Sequence, residues 1–152
     1  IFGTEEVLSR QNVIEQFEQE SQLGIVKFKL PAKWPIVRCD VLKMSQVWQN
    51  LIGNSIKYRG KLDQVEIKIG TRVSGIWCEC WIEDNGSGIP SLEGNRIFKP
   101  FIRLDDSKQG SGIGLATVAR ILEAHKGIIR LDSGYHDGAR FYMRWPHHVS
   151  TR

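Results

Sequence analysis

The chain has 152 residues, is 41% hydrophobic and 25% charged, and carries a formal net charge of +4. That is enough for one domain with a real core and too little for two comfortable ones. No apolar run reaches membrane-spanning length. No Lys/Arg block marks a nucleic-acid tail either, so the basic balance points only to some anionic partner.

The chain opens Ile1-Phe2-Gly3, without Met or a signal-peptide pattern, and reads as part of a longer protein. Residues 4–22 read as a helix. Thr4 is its cap, Glu5 and Glu6 favour the dipole, Val7, Leu8, Ile14 and Phe17 form its buried side, and Gly24 ends it. Ile25–Leu30 is a short strand closed by Pro31 and Pro35, and Ile36–Cys39 is a second extended piece. Asp40 caps a longer helix over about 41–58, on which Met44, Val47, Trp48, Leu51 and Ile52 form one apolar arc. Lys43, Asn50, Asn54 and Lys57 fall together beside that arc, and Gly60 is the stop.

Two alternating strands follow. Val65, Ile67 and Ile69 share one side. After a turn at 73–75, Ile76, Cys78, Cys80, Ile82 and Asp84 share one face, and Trp77, Glu79, Trp81 and Glu83 the other. The strand thus delivers a carboxylate, Asp84, to the core side, which is costly unless donors meet it. Cys39, Cys78 and Cys80 lack the second pair or spaced histidines of a zinc site, so they read as buried small hydrophobes in a reducing compartment. Residues 90–112 lack periodicity, and a loop of that length is unusual in a compact domain unless functional. A helix over 113–126 and a hairpin of strands, about 128–133 and 139–145, complete an α+β two-layer sandwich with helices on one face of one sheet.

Three constellations carry chemistry. Asn50-x-x-x-Asn54-x-x-Lys57 lies on one helix side, Asp84-x-Gly86-x-Gly88 ends a strand, and Gly110-Ser111-Gly112-Ile113-Gly114-Leu115 opens a helix. Glycines at a helix start let backbone N–H groups meet an anion, typically phosphate; the alternative is a flexible joint of small residues. No Gly-Lys-Ser/Thr loop occurs, and no βαβ unit accompanies the glycines. An amide oxygen such as that of Asn54, with phosphate oxygens and waters, is the sparse coordination Mg²⁺ accepts. The alternative for Asn50 and Asn54 is a solvated helix side, though asparagine is a poor mid-helix residue.

The segments NLIGNSIKY (50–58), DNGSGIP (84–90), IFKPFIRLD (97–105) and GSGIGLATVARILEAHKG (110–127) resemble the asparagine, first glycine, phenylalanine and second glycine boxes of the sensor histidine kinase catalytic domain, a member of the GHKL or Bergerat-fold superfamily. They occur in the family's order, and the likeness runs from about residue 5 to 146. The resemblance implies one Bergerat-fold domain over 1–152: a mixed, mostly antiparallel sheet, about three helices on one face, and a flexible ATP lid at 91–112.

It also implies roles. Asp84 would accept from the adenine amino group, with Gly86, Gly88 and Ile89 beside the base and Tyr58 lining the pocket. Asn54 would hold Mg²⁺, and Asn50 and Lys57 would serve the phosphates as catalytic residues. Phe98 and Phe101 would anchor the lid, or simply pack in the core. Arg103 and Lys108 would neutralise phosphate, or be solvated loop charges, and Gly110, Gly112, Gly114 and Leu115 would close the site. Hydrolysing relatives carry a general-base Glu where this chain has Asn50, and an amide is no useful base. The expectation is therefore a cytoplasmic protein-histidine kinase domain using Mg²⁺-ATP. Its phosphoacceptor histidine would lie on an upstream dimerisation domain of a homodimeric protein, with an inner-membrane anchor elsewhere in that protein left open. A response regulator would be the next acceptor. His125, His136, His147 and His148 are poor phosphoacceptor candidates. An isolated domain would bind nucleotide without autophosphorylating, and neither nucleic acid nor membrane would contact it. A nucleotide-dependent regulatory module and an anti-sigma-type serine kinase are the alternatives. Ala139 stands where relatives often place Thr.

Overall fold

The computed structural model describes residues 4–7, 13–89, 94–99 and 114–146. In chain order the elements are β1 (Thr4–Val7), a 3₁₀ turn (Glu15–Phe17), α1 (Glu18–Gln22), β2 (Val26–Lys29), β3 (Ile36–Cys39), α2 (Val41–Lys57), β4 (Val65–Ser74), β5 (Trp77–Asp84), a second 3₁₀ turn (Gly94–Phe98), α3 (Gly114–Ala124), β6 (Ile128–Leu131) and β7 (Arg140–Pro146). Five strands form one sheet in the order β2-β4-β5-β7-β6. Only the β2–β4 pair is parallel; the other neighbours are antiparallel. This is the α+β mixed sheet with three helices that the sequence implies.

The core lies between the sheet and the two long helices. Asp40 caps α2, accepting from the Lys43 N–H at 3.1 Å. Below that cap, Met44, Val47, Trp48, Leu51, Ile52 and Ser55 turn inward at helical spacing. They meet Ile67, Ile69, Cys78, Cys80, Ile82, Met143 and Trp145 from the strands and Val118 and Leu122 from α3. Each such large apolar side chain contributes about 1.5–3 kcal/mol on burial. All three cysteines are buried thiols, and burial, first of all, pushes the Cys80 thiol well above its ordinary range.

The opposite face of the sheet carries Arg72, Glu79, Trp81, Glu83, Arg140 and Tyr142. Arg72 donates to Glu79 at 2.8 Å and Tyr142 Oη to Glu79 at 3.0 Å, while Arg140 bridges Glu83 and Asp132 at 3.0 and 3.2 Å. The guanidinium of Arg72 holds the Glu79 carboxyl below the usual range. Trp81 lays its indole across Gly70, where any Cβ would collide with the ring.

Two expectations need correction. Residues 4–22 are not one helix: Thr4–Val7 is a strand, paired antiparallel with β3 from Thr4↔Cys39 to Val7↔Ile36. Among the described residues, helical structure begins at residue 13. A first-turn glutamate is worth at most about 1 kcal/mol to a helix dipole, and pairing with a distant strand overrides so weak a preference. Val13 and Ile14 are buried all the same, and Phe17 packs on the core. Ile76 stands in the β4–β5 turn and is exposed, so it leaves the inward face of β5. At the end of α3 Lys126 takes the left-handed conformation, at φ 60°, and Gly127 follows where a Cβ would strike the Arg144 carbonyl on β7.

Candidate nucleotide site

The end of β5, the last turns of α2, the start of α3 and the start of β7 converge. Asp84 is buried, at 7% exposure. Its N–H donates to the Ala139 carbonyl at 2.9 Å, and its Oδ1 accepts from Gly86 N at 2.9 Å and Ala139 N at 3.2 Å. The buried acid is therefore partly satisfied by backbone, and its other oxygen takes no hydrogen bond among the described residues. Close main-chain passage makes this possible. Gly138, at φ 152°, lies against the Asp84 carbonyl, where any side chain would collide.

The loop after β5 is strapped down on two sides. Asn85 Oδ1 accepts from Glu66 N at 2.8 Å, tying the loop to β4. Ser87 N donates to the Tyr58 carbonyl at 3.2 Å, and a Cβ on Gly86 would sit 2.8 Å from that same oxygen. The strap brings the strand-end carboxylate beside the asparagine side of α2. Asn54, Ser55, Tyr58, Asp84, Gly88, Ile89, Leu115, Ala139 and Phe141 line one cavity of about 30 Å³.

The remaining candidates fall around this cavity. Asn50 lies one turn before Asn54, and its Oδ1 is 3.3 Å from where a Cβ of Gly114 would be, so it meets the start of α3. The Lys57 ammonium sits over the Tyr58 ring at 5.1 Å, outside the cavity lining. Phe98 packs edge-on against Phe141, ring centroids 6.0 Å apart. Phe101, Arg103, Lys108, Gly110, Gly112 and most of 91–112 lie outside the described residues, as do His147 and His148. Sequence reasoning missed Ser55 and Phe141 in the wall, Gly138 under Asp84, and Ile97, which is fully buried beside Phe98. Only the Phe98 and Gly138 neighbourhoods offered a signal, an apolar pair and a glycine next to a strand start.

A two-layer α+β domain with a cleft at the sheet's rim, formed by an asparagine-bearing helix, a strand-end carboxylate and a glycine-started helix, has the architecture of histidine kinase catalytic domains. The nucleotide-free catalytic domain of histidine kinase ThkA superposes with a TM-score of 0.80 at 26% identity, covering 95% of each chain. The family model for histidine kinase-, DNA gyrase B- and HSP90-like ATPases matches residues 39–149, and the chain belongs to that family. It is 39% identical over 108 residues to the methanogenesis regulatory histidine kinase FilI of Methanothrix harundinacea (strain 6Ac), covering 71% of this chain and 12% of FilI. It is 34% identical over 140 residues to the adaptive-response sensory kinase SasA of Synechococcus sp. (strain JA-3-3Ab), covering 90% and 37% respectively. The chain spans between 12% and 37% of the length of such curated relatives. Among the described residues no helix is long and apolar enough to cross a membrane.

Proposed function

We propose that this cleft binds Mg²⁺-ATP and presents the γ-phosphoryl group to a histidine on a separate helical dimerisation domain of the same homodimeric protein. An aspartate of a response regulator would be the next acceptor. The observation that carries this is the shared cavity. One oxygen of Asp84 is fixed by two backbone N–H donors, and the other is left to accept from a purine amino group opposite Asn54.

Each residue then has a part. Ile89, Leu115, Ala139 and Phe141 give the base an apolar, water-excluding surround. A cavity of about 30 Å³ is far smaller than a purine, so binding requires its walls to part. Asn54 offers one hard amide oxygen at the cavity edge, which fits Mg²⁺ held mainly by phosphate oxygens and water. Bound there, the ion would neutralise triphosphate charge. Lys57, in the last turn of α2, supplies a cation for phosphate, and Asn50 faces the phosphate end beside Gly114. Arg103, Lys108 and the glycines at 110 and 112 would complete the phosphate end, with 91–112 as the lid and Phe98 and Phe101 as its anchors.

An amide at 50 cannot deprotonate water. Glu83 is no substitute, since it pairs with Arg140 at 3.0 Å on the far face of the sheet. Hydrolysis is accordingly slow, and the γ-phosphoryl group is kept for an external nucleophile by positioning and charge neutralisation. The test mixes this domain with its dimerisation domain and γ-labelled ATP. Label on histidine is expected. Tight ATP binding without labelled histidine would replace the kinase by an ATP-responsive regulatory module.

A further inference from the structure

We propose that His125 is a positioning residue for the nucleotide site: a strut between α2 and α3 that fixes how closely the start of α3 approaches Asn50 and the cavity. The proposal rests on reading the cavity as the ATP site. His125 follows α3 directly and is only 4% exposed. Its Nδ1 lies 2.8 Å from the Ile121 carbonyl, and its Nε2 lies 3.1 Å from the backbone N–H of Asp40. A carbonyl can only accept and a backbone N–H can only donate. The ring proton therefore belongs on Nδ1, and the Nε2 lone pair receives Asp40.

The position of Asp40 explains why it needs this partner. It is the cap of α2, and its side chain already serves the Lys43 N–H. In a capping box the third helical residue is Glu or Gln and returns a bond to the cap's own N–H. Here that residue is Lys43, which has no acceptor. The imidazole of His125 does the job from the other helix, closing the box across 85 residues of chain.

The far end of α3 is what this strut controls. Behind His125 the chain is pinned: Gly127 N donates to Leu122 O at 2.7 Å, and Gly127 lies flat on the Arg144 carbonyl. Val118 and Leu122 pack on α2 on the core side. On the outer side an open groove of about 500 Å³ runs between the helices, with Asp40 and His125 in its wall beside Lys43, Gln46, Thr117 and Arg120, so on that side the strut, and not side-chain filling, spans the gap. The 11 residues of α3 span about 16 Å. A tilt of about 10° at the His125 end would move the first turn by about 3 Å. That turn holds Gly114 against Asn50 and Leu115 in the wall of a cavity of only about 30 Å³.

The test compares His125→Ala and His125→Gln with Val26→Ala, a core truncation on β2, at a temperature where all remain folded. Calorimetry is expected to give an ATP Kd raised at least about fivefold by His125→Ala and changed less than about twofold by Val26→Ala. Without nucleotide, the amide resonances of Gly114–Val118 should shift in the His125 variants and not in the control. Long-range ¹H–¹⁵N spectra of the unmodified chain should show the Nδ1–H tautomer. A ring in the Nε2–H form overturns the proposal without any variant. So do equal Kd losses in His125→Ala and Val26→Ala, or folded His125 variants with unchanged Kd and unchanged resonances. If the unmodified chain binds no ATP, the function proposed above fails, while the tautomer and resonance measurements still decide the strut.

Discussion

Replacing Asp84 by asparagine exchanges one carboxylate oxygen for an NH₂ group, and the structure says what each half of the side chain should feel. The oxygen that accepts from Gly86 at 2.9 Å and Ala139 at 3.2 Å can be kept by the amide oxygen. Those two bonds fall from charge-assisted to neutral, a loss of about 1 kcal/mol each. A domain stable by about 5–15 kcal/mol survives that. On the cavity side, an acceptor becomes a donor facing the donor of the purine, which costs about 2–4 kcal/mol, or roughly 30- to 1000-fold in Kd. Titration calorimetry with ATP, beside thermal unfolding, separates the two effects. A folded Asp84→Asn domain that binds ATP as tightly as the parent would refute the assignment of the pocket. Asp84→Ala is the poorer variant, because it orphans the buried Ala139 N–H at about 1–3 kcal/mol, frees the half-buried Gly86 N–H, and confounds binding with folding.

Asn54→Ala should remove most of the Mg²⁺ dependence of ATP binding while leaving metal-free ATP affinity within about twofold, as titrations with and without chelator would reveal. Gly127→Ala should destabilise the domain by about 1–3 kcal/mol, seen as a lower urea midpoint with unchanged slope, because the methyl meets the Arg144 carbonyl. The Glu79 carboxyl is held low first by Arg72 and then by the Tyr142 hydroxyl, against the opposing effect of burial. With its folded value below the unfolded one, its contribution is present above the unfolded value and is lost as pH falls through the folded value. Unfolding free energy should thus fall more steeply in the parent than in Glu79→Gln as pH drops below the ordinary glutamate range.

Much of this was legible in one dimension because the signals are local. The arc Met44-Val47-Trp48-Leu51-Ile52 declares both a helix and its buried side, and Asp40 marks its start. Alternation through 77–84 places Asp84 inward, and the glycines after it announce the turn. What escaped depends on partners far along the chain. Thr4–Val7 becomes a strand only because β3 lies alongside, and nothing in Thr-Glu-Glu-Val encodes that neighbour. Ser55 and Phe141 meet in the cavity wall only once α2 and β7 are brought to the same cleft. His125 looked like a bystander, and its bond to Asp40 appears only when the two helices meet.

The side of the sheet turned away from the helices is a lattice of charged and aromatic side chains. Cations lie flat on aromatic rings there, Arg130 over Tyr142 at 4.6 Å and Arg144 over Trp77 at 4.3 Å, and carboxylates answer the guanidinium of Arg140. Such a surface is wettable and needs no third layer to cover it.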